Sequence, residues 1–387
     1  MTGRPIYLDY NATTPIDDRV LNAMMPFLTT EFGNPSSDHA YGAAPRQALA
    51  KARQEVATLV GASASEIVFT GSGSEADALA IRGAVLATKA AGRIQPHVIT
   101  QVTEHPAVLA ACRELEELHD VTVTYLPVDA DGLVDPHDVE AAITSSTVLV
   151  SIMHANNETG TIQPIARIAA ITKARGVLLH TDAAQSIGKI PVNVQELGVD
   201  LLTIVGHKMY APKGIAALYV REGVTLHPII GGGGQERGLR AGTENVAFAV
   251  GIGAAAQLAT QALVDGEMER LSDLRDQLDL ALQAALPGRV HVHGDQTHRL
   301  PNTLNVHIDD APALALLAHL PDVAASAGSA CHAGQDEPSA VLIAMGLNAR
   351  DSLSTIRLSL GRWTTPEQVE QAAHAIGIAV QGLPTSS

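Results

Sequence analysis

The feature that most constrains the fold is an alternation of short apolar runs with helix-forming segments between about residues 65 and 220. The apolar runs are rich in Val, Ile, Leu and Thr, a composition typical of strands buried in a sheet. They lie at residues 66–70, 97–100, 121–126, 147–153, 176–180, 201–205 and 216–220. Segments rich in Ala, Leu and charged residues separate them, for example 74–91, 107–118 and 164–175. This order predicts an α/β domain in which helices cover a mainly parallel sheet.

A second pattern begins after the glycine-rich stretch 231–237. Long segments rich in Ala, Leu and Glu predict helices between about residues 245 and 287. Further strands are predicted at 289–293, 303–308 and 354–360. The 387 residues exceed what one hydrophobic core usually organises. We therefore predict a large domain of residues 16–262 and a smaller α/β domain made of residues 1–15 and 263–387.

Composition argues against several classes of function. The formal net charge of −16 disfavours nucleic acid or an anionic membrane as the main partner, because phosphate groups bind to basic surfaces. The most membrane-like stretch, residues 247–264, is interrupted by Gln257 and Gln261 and is predicted to be a buried helix. The N-terminus lacks an apolar signal-peptide core, and the two cysteines, Cys112 and Cys331, form no Cys-x-x-Cys pair. We expect a soluble cytoplasmic protein.

Polar residues follow the predicted strands at the points where the strands end. They are the run 71–74, His105, Asn156, Asp182 and Lys208. Because the carboxyl ends of parallel strands meet at one edge of a sheet, these side chains are predicted to share one site.

The run 70–74, Thr-Gly-Ser-Gly-Ser, follows a strand and opens a helix, so its backbone N–H groups can bind a phosphate. It also fits the dinucleotide fingerprint Gly-x-Gly-x-x-Ala, but no acidic residue lies between Asp77 and Glu104 to bind a ribose. Helix capping by Ser72 or Ser74 is the other interpretation. From this run alone, phosphate binding and simple capping both stay open.

Lys208 and Asp182 have the chemistry that pyridoxal phosphate (PLP) requires. Lys208 directly follows the apolar run 201–205, and burial lowers the pKa of a lysine, which favours the neutral amine that forms a Schiff base. Asp182 ends an apolar strand, where a protonated pyridine nitrogen would compensate the buried carboxylate. Lys213, in a turn, is the competing lysine, and a helix cap is the competing role of Asp182.

Further side chains could contact such a cofactor or its substrate. Gln185, predicted to share a helical face with Asp182, and Asn156 carry amides suited to a ring oxygen or a carboxylate. His105 could stack on the ring and relay protons, and Arg357 could bind the carboxylate of an amino acid in bidentate fashion. Taken alone, Asn156 also fits a turn, His105 a structural histidine and Arg357 a structural salt bridge.

Cys331 lies among small and polar residues in the segment 325–338. This composition predicts a mobile loop from which the thiol can reach a substrate, with His332 able to help deprotonate it. Cys112, in a helical run, is predicted to be an inert packed thiol. A thiol nucleophile together with PLP indicates an enzyme that attacks sulfur.

With these residues in place, the chain resembles the cysteine desulfurases, which are PLP enzymes of the class V aminotransferase type, and the closely related selenocysteine lyases. The resemblance runs from Tyr7 to about Thr365. It is carried by the motifs at residues 8–15, 33–37, 104–105, 154–158, 180–183, 207–208, 232–237, 240–245 and 328–331. It implies the type I fold of PLP-dependent transferases, with a seven-stranded sheet in the large domain.

The resemblance also implies a role for each matched residue in holding the cofactor or the substrate. By this resemblance Lys208 would bind PLP covalently, Asp182 would pair with its pyridine nitrogen, His105 would stack on the ring, and Gln185 and Asn156 would contact the ring oxygen or the substrate. The phosphate would be held by Gly73, Ser74 and His207, and by Thr243 of the other subunit of a homodimer. Arg357, with Asn34 nearby, would bind the substrate carboxylate, and Cys331 would take the substrate sulfur.

The implied reaction converts L-cysteine to L-alanine and leaves sulfur as a persulfide on Cys331 for an acceptor such as an iron-sulfur scaffold or a thiol carrier. Ser74 replaces a common threonine, and Val205 stands where many desulfurases have a serine. Val205 and Cys331-His332 resemble the selenocysteine lyases, whereas the spacing from Cys331 to Pro338 resembles the long-loop desulfurases. Selenocysteine lyase is therefore the nearest rival. An ordinary class V aminotransferase and a non-catalytic sulfur-protein scaffold are the others.

Overall fold

The computed structural model describes residues 4–327 and 337–383. The strands are β1 (Ile6–Tyr7), β2 (Ile67–Thr70), β3 (His97–Gln101), β4 (Thr122–Leu126), β5 (Thr147–Ser151), β6 (Leu178–Asp182), β7 (Leu201–Val205), β8 (Ala216–Val220), β9 (Val290–Val292), β10 (Thr303–Ile308), β11 (Val323–Ala324) and β12 (Thr355–Ser359). The α-helices are α1 (Asp18–Thr29), α2 (Ala40–Val60), α3 (Gly73–Ala90), α4 (Pro106–His119), α5 (Pro136–Ala142), α6 (Ile165–Arg175), α7 (Val194–Leu197), α8 (Val246–Val264), α9 (Glu267–Ala285), α10 (Ala313–Ala318), α11 (Ala340–Ala344), α12 (Ala349–Leu353) and α13 (Pro366–Gly382). Short 3₁₀ turns lie at Ala64–Glu66, Gly206–Lys208 and Gln235–Gly238.

The central sheet has seven strands in the order β2-β8-β7-β6-β5-β3-β4. Strand β8 pairs antiparallel with both of its neighbours, and the pairs from β7 to β4 are parallel. Most side chains of β2, β3, β5, β6, β7 and β8 are buried, as expected for strands covered by helices on both faces. The predicted α/β fold with a mainly parallel seven-stranded sheet is confirmed.

One strand boundary differs from the prediction in a way that affects the site. The predicted strand at 176–180 is wrong at its start, because Gly176 has a φ of 66° and ends helix α6 in the left-handed conformation that glycine favours. Strand β6 therefore begins at Leu178 and continues to Asp182. The carboxylate of Asp182 thus belongs to the last residue of a central strand.

Helix α8 is the stretch that resembles a membrane span. By length and composition it could cross a membrane, but half of its apolar window is buried inside the protein. A Cβ on Gly251 would lie 2.7 Å from Sδ of Met24 in α1, and a Cβ on Gly253 would lie 2.7 Å from Cα of Ala52 in α2. The small residues therefore allow close packing against α1 and α2, and α8 is a core helix, as predicted.

A separate hydrophobic cluster underlies the C-terminal part of the chain. It contains Leu8 together with residues drawn from α9, α13 and strands β9, β10 and β12. The first strand, β1, reaches this cluster from the N-terminus and pairs in parallel with β11. The predicted domain limits at residues 15 and 262 stay a prediction, because this clustering does not mark a boundary residue.

Candidate active site

A cavity of about 870 Å³ opens at the carboxyl ends of the central strands. Eight of the predicted site residues line it, namely Gly73, Ser74, His105, Asp182, Gln185, His207, Lys208 and Arg357. Described residues on both sides of the segment 328–336, at 325–327 and 337–341, line it as well. Cys331 and His332 lie outside the described residues, so their predicted roles stay predictions.

Lys208 occupies the turn that follows β7. Its Nζ donates hydrogen bonds to the backbone carbonyls of Asn11, at 2.5 Å, and Ala12, at 2.8 Å. Lys213 also borders the cavity, but it is exposed, whereas Lys208 is half-buried. A half-buried amine held by two carbonyl groups fits a covalent attachment point better than an exposed amine does.

Asp182 presents its carboxylate at the end of β6. Oδ1 accepts the N–H of Ala184 at 2.8 Å, but residues 184–189 form turns, so this is a local turn contact and the helix-cap interpretation is wrong. Burial raises the pKa of Asp182, while the nearby charges of His105 and Lys208 act in the opposite direction. A cationic group in the cavity would favour the ionised form of this carboxylate, as a protonated pyridine nitrogen does.

Gln185 does not share a helical face with Asp182, and that part of the prediction is wrong. Residues 184–189 form successive turns, because N–H groups bond carbonyls three or four residues back without continuing into a helix. The turn nevertheless places Gln185 at the cavity. Its Nε2 donates to the carbonyl of Asn11 at 3.0 Å, and its Oε1 accepts from Nζ of Lys189 at 2.8 Å.

The loop before α3 has the features of a phosphate-binding turn. Ser72 caps the helix by accepting the N–H of Glu75 at 3.1 Å, so the capping interpretation is confirmed for Ser72. The N–H groups of Gly73 and Ser74 belong to the first turn of an 18-residue helix and need acceptors from outside it. A Cβ on Gly73 would lie 2.6 Å from Cγ2 of Val205, so glycine is what lets the loop lie against the end of β7.

Two histidines beside Lys208 have lowered pKa values. Burial and the charge of Lys208 lower the pKa of His207 to about 4, and its Nδ1 lies 3.1 Å from Oγ1 of Thr13. Burial also lowers the pKa of His105, against the attraction of Asp182. Nδ1 of His105 accepts the N–H of Ala107 at 3.1 Å, so the ring carries its proton on Nε2.

Arg357 is almost fully buried and borders the cavity from β12. Its Nη2 lies 2.8 Å from Oδ1 of Asp9, and its Nη1 donates to the carbonyl of Asn157 at 2.9 Å. The structural salt bridge is therefore present. Among the residues that the structure describes, the buried Nε of Arg357 has no hydrogen-bond partner, so this donor is not used within the chain.

Three predicted residues do not reach the cavity within one chain. Asn156 is buried, and its Oδ1 accepts the N–H groups of Glu158 and Thr159, which matches the turn interpretation. Asn34 and Thr243 are exposed. The roles assigned to these three residues have no support from the geometry of a single chain.

Asn11 and Lys189 are residues of the site that sequence reasoning missed. Oδ1 of Asn11 accepts from Nζ of Lys189, at 3.2 Å, and from Nδ2 of Asn302. Its carbonyl accepts from Lys208 and Gln185. Burial lowers the pKa of Lys189 well below that of an ordinary lysine. The sequence signal for Asn11 was the motif 8–15, which helps to carry the family resemblance. No role was predicted for Asn11 from that motif.

Two further buried acids lie near Asp182. Burial raises the pKa values of Asp77 and Glu104 well above their usual range, and the charge of Asp182 adds to both shifts. Both side chains border the cavity. Because these shifts favour their neutral forms, Asp182 is the carboxylate of the three best placed to carry the negative charge.

The assembled groups fit PLP. The cavity combines a half-buried lysine, a buried carboxylate at a strand end, a neutral histidine and a glycine turn at a helix N-terminus. These are the groups that hold an aldehyde, a pyridine nitrogen, the face of a ring and a phosphate, respectively.

The chain matches known proteins over nearly its whole length. The family model described as Aminotransferase class-V matches residues 6–372. The protein named Cysteine desulfurase IscS of Dictyoglomus turgidum is 45% identical over 386 residues, which are 99% of this chain and 96% of that protein. Cysteine desulfurase 1 of Trichormus variabilis is 47% identical over 383 residues, which are 98% of this chain and 93% of that protein.

Solved structures agree with these matches. One described as a NifS-like protein superposes with a TM-score of 0.90 at 36% identity, covering 98% of this chain and all of that chain (100%). Another, described as SspA in complex with cysteine, has a TM-score of 0.78 at 37% identity and covers 92% of this chain and 98% of that chain.

Proposed function

The chain belongs to the class V aminotransferase family and, within it, to the cysteine desulfurases. On this premise we propose how it converts L-cysteine to L-alanine with PLP. The observation that carries the proposal is the composition of one cavity. Lys208, Asp182 and the residues on both sides of the cysteine-bearing segment 328–336 border the same space. The described residues that flank the cysteine-bearing segment therefore lie at the same cavity as the proposed cofactor site.

PLP, when bound, supplies an electron-withdrawing ring that stabilises the negative charge left when a proton leaves the α-carbon of an amino acid. Asp182 would favour the protonated state of that ring, and His105 would contact its face. The N–H groups of Gly73 and Ser74, with His207, would hold the phosphate. Nζ of Lys208 is the group that takes the α-proton, because it borders the cavity and is oriented by the carbonyls of Asn11 and Ala12.

Arg357 binds the substrate carboxylate in this proposal. Its pairing with Asp9 fixes the guanidinium on β12, and its buried Nε has no partner among the described residues. A fixed guanidinium loses little conformational entropy when it binds a carboxylate. Asn156 supports the same wall through the turn at 156–159 rather than through contact with the substrate.

Cys331 takes the sulfur. The thiolate attacks the sulfur of the substrate, so that an S–S bond forms while the C–S bond breaks and its electron pair stays with the organic fragment. Protonation of that fragment leads to alanine, and sulfur remains on Cys331 as a persulfide. An acceptor such as an iron-sulfur scaffold or a thiol carrier then receives it, which places the protein in iron-sulfur cluster assembly or thiolation.

We further propose that the working form is a cytoplasmic homodimer in which Thr243 contacts the phosphate of the partner site. Two features support a dimer. Thr243 is exposed and does not border the cavity of its own chain. Leu21, Met25 and Leu28 expose one face of α1, beside the exposed Phe32 and Tyr41, and a large exposed apolar patch is typical of a protein interface.

The decisive experiment incubates the PLP-loaded protein with L-cysteine, quantifies alanine and maps the persulfide by mass spectrometry. The persulfide is expected on Cys331, and Cys331→Ala should lose desulfuration while keeping the cofactor colour. Cys112→Ala is the matched control, since Cys112 is fully buried and burial raises its pKa to about 12. Undiminished alanine formation by Cys331→Ala would overturn the assignment. L-Selenocysteine in a parallel reaction tests the rival lyase, which would turn over that substrate and leave L-cysteine unchanged.

A further inference from the structure

A cluster of histidines lies on the small three-stranded sheet, on residues that do not border the active-site cavity. Side chains along β9 and β10 alternate between the two faces of the sheet, and those of Val290, Val306 and Ile308 lie in the C-terminal hydrophobic cluster. The intervening side chains, His291 and His307, lie on the opposite face and are directly paired in the antiparallel register. Residues on one face of a strand recur every second position, so Asp309 lies on the same face as His307.

The distances within this cluster suit a metal ion. Nε2 of His291 lies 3.2 Å from Oδ2 of Asp309, and Nε2 of His307 lies 3.7 Å from Oδ1 of the same carboxylate. One ligand atom from each of the three residues lies within 4.8 Å of the other two. Ligand atoms about 2.0–2.2 Å from a tetrahedral Zn²⁺ are about 3.4 Å apart, so small side-chain rotations suffice.

A third histidine lies beside this pair. The rings of His291 and His307 are stacked with centroids 5.4 Å apart, and His293 stacks on His307 at 6.3 Å. Nε2 of His293 is buried and has no hydrogen-bond partner among residues 4–327 and 337–383. Imidazole nitrogen is a common ligand of transition-metal ions.

We propose that His291, His307 and Asp309 bind one divalent transition-metal ion per chain, with Zn²⁺ as the favoured ion. Two imidazoles and one carboxylate suit Zn²⁺, Co²⁺, Ni²⁺ and Cu²⁺, whereas Mg²⁺ and Ca²⁺ prefer sites built of oxygen ligands alone. His291 and Asp309 are about half exposed, at 51% and 43% of their side chains, so water can complete the coordination. The bound ion would join the edge strand β9 to β10.

The test measures Zn²⁺ binding by competition with a chromogenic chelator, using the PLP-loaded protein in a Cys331→Ser background so that this thiol supplies no ligand. One Zn²⁺ per chain is expected, and an excess of Mg²⁺ should not displace it. His291→Asn and His307→Asn should each weaken binding at least about tenfold. His374→Asn is the matched control, because His374 is exposed on α13 and lies outside the cluster.

Because His291 is exposed, its substitution keeps the test valid even if His307→Asn disturbs folding. Replacing Zn²⁺ by Co²⁺ adds a visible absorbance that reports the ligand geometry and that should be lost in both histidine variants. Binding of Zn²⁺ with unchanged stoichiometry and affinity in His291→Asn would overturn the site, as would the lack of saturable binding in the parent. Neither readout depends on desulfurase activity.

Discussion

At the scale of single residues, two lysines at the same cavity differ in what surrounds them. Nζ of Lys208 contacts two backbone carbonyls, whereas Lys213 is exposed at the rim. A lysine whose Nζ is fixed at the cavity can present its amine to an aldehyde bound there, whereas a solvent-exposed lysine is not oriented in this way. The two residues therefore form a natural pair for testing the cofactor attachment.

Replacing Lys208 by alanine should abolish covalent attachment of PLP and lower kcat by at least about 1,000-fold, because the same amine also moves the α-proton. The visible absorbance of the covalently held cofactor and the rate of alanine formation are the measurements. Lys213→Ala, which removes the same charge at the rim, should leave both nearly unchanged. If Lys213→Ala instead lost the absorbance, the attachment point would have been assigned to the wrong lysine.

The position of Val205 leads to a second prediction at the residue scale, which concerns the affinity for PLP. Its Cγ2 lies where a side chain on Gly73 would be, beside the proposed phosphate turn, and it offers no hydrogen bond. Val205→Ser should tighten PLP binding about 2- to 10-fold relative to Val205→Ala, since a hydrogen bond contributes about 0.5–1.5 kcal/mol. The dissociation constant of PLP measured by fluorescence quenching is the readout. Equal constants for the two variants would show that the phosphate does not reach position 205.

At the scale of elements, a buried histidine at a strand end makes the free energy of unfolding depend on pH. Nδ1 of His154, just after β5, lies 2.8 Å from Oγ of Ser186, and burial lowers the pKa of His154 from 6.5 to about 4. In the folded protein the ring therefore stays neutral over a pH range in which the unfolded chain takes up a proton. The stabilisation is complete above about pH 6.5 and is lost as the pH falls toward about 4.

This linkage predicts the effect of His154→Asn on the pH dependence of unfolding. Between pH 6.5 and 4.5 the free energy of unfolding should fall less steeply in the variant, by up to about 1.4 kcal/mol per pH unit. Urea unfolding at fixed protein concentration across this range provides the measurement. The exposed His374→Asn serves as the control, and its slope should match that of the parent. An identical slope for His154→Asn would mean that the pKa of His154 is the same in the folded and unfolded protein.

The contact of α8 with α2 gives another prediction at this scale. Alanine usually favours a helix over glycine by about 1 kcal/mol, yet a Cβ at position 253 would meet Cα of Ala52 at 2.7 Å. Gly253→Ala should therefore lower the free energy of unfolding by about 1–3 kcal/mol through overpacking. Gly382→Ala, at the end of α13 with no atom within 4 Å of the new Cβ, should not destabilise the protein. A stabilising Gly253→Ala would contradict the close packing.

At the scale of the whole molecule, the cavity is built from distant parts of the chain. Asn11 bonds Lys208 and Lys189 beside the central sheet, and its N–H donates to Oγ of Ser359 on β12. Asp9 fixes Arg357 from the same N-terminal segment. This segment therefore aligns the proposed carboxylate-binding arginine with the proposed cofactor lysine.

A subunit-mixing experiment tests whether each site also uses the partner chain. If Thr243 acts across the dimer, a heterodimer of Lys208→Ala and Thr243→Val chains contains one site with both defects and one intact site. Mixed dimers should then recover about half of the parental activity per dimer, more than either homodimeric variant shows. Activity is measured on heterodimers purified with two different affinity tags. Without recovery, Thr243 would act within its own chain.

The sequence by itself determined the types of element, the mainly parallel sheet and the strand ends that carry Asp182 and Lys208. Hydrophobic periodicity and turn residues are local properties, so they can be recognised along the chain without knowing its path. The capping role of Ser72 and the buried state of Cys112 followed from the same local patterns. The boundary of β6 and the conformation around Gln185 did not, because tertiary packing selects between a helix and successive turns there.

Only the tertiary structure decided which distant residues meet. The contacts of Asn11 with Lys189, and of Asp9 with Arg357, join positions separated by up to 348 residues. No periodicity encodes such contacts, because they depend on how segments far apart in the sequence pack against one another. The sequence thus specified the chemical groups of the site. Tertiary packing supplied their positions, and side chains from distant segments can share one site only when packing brings them together.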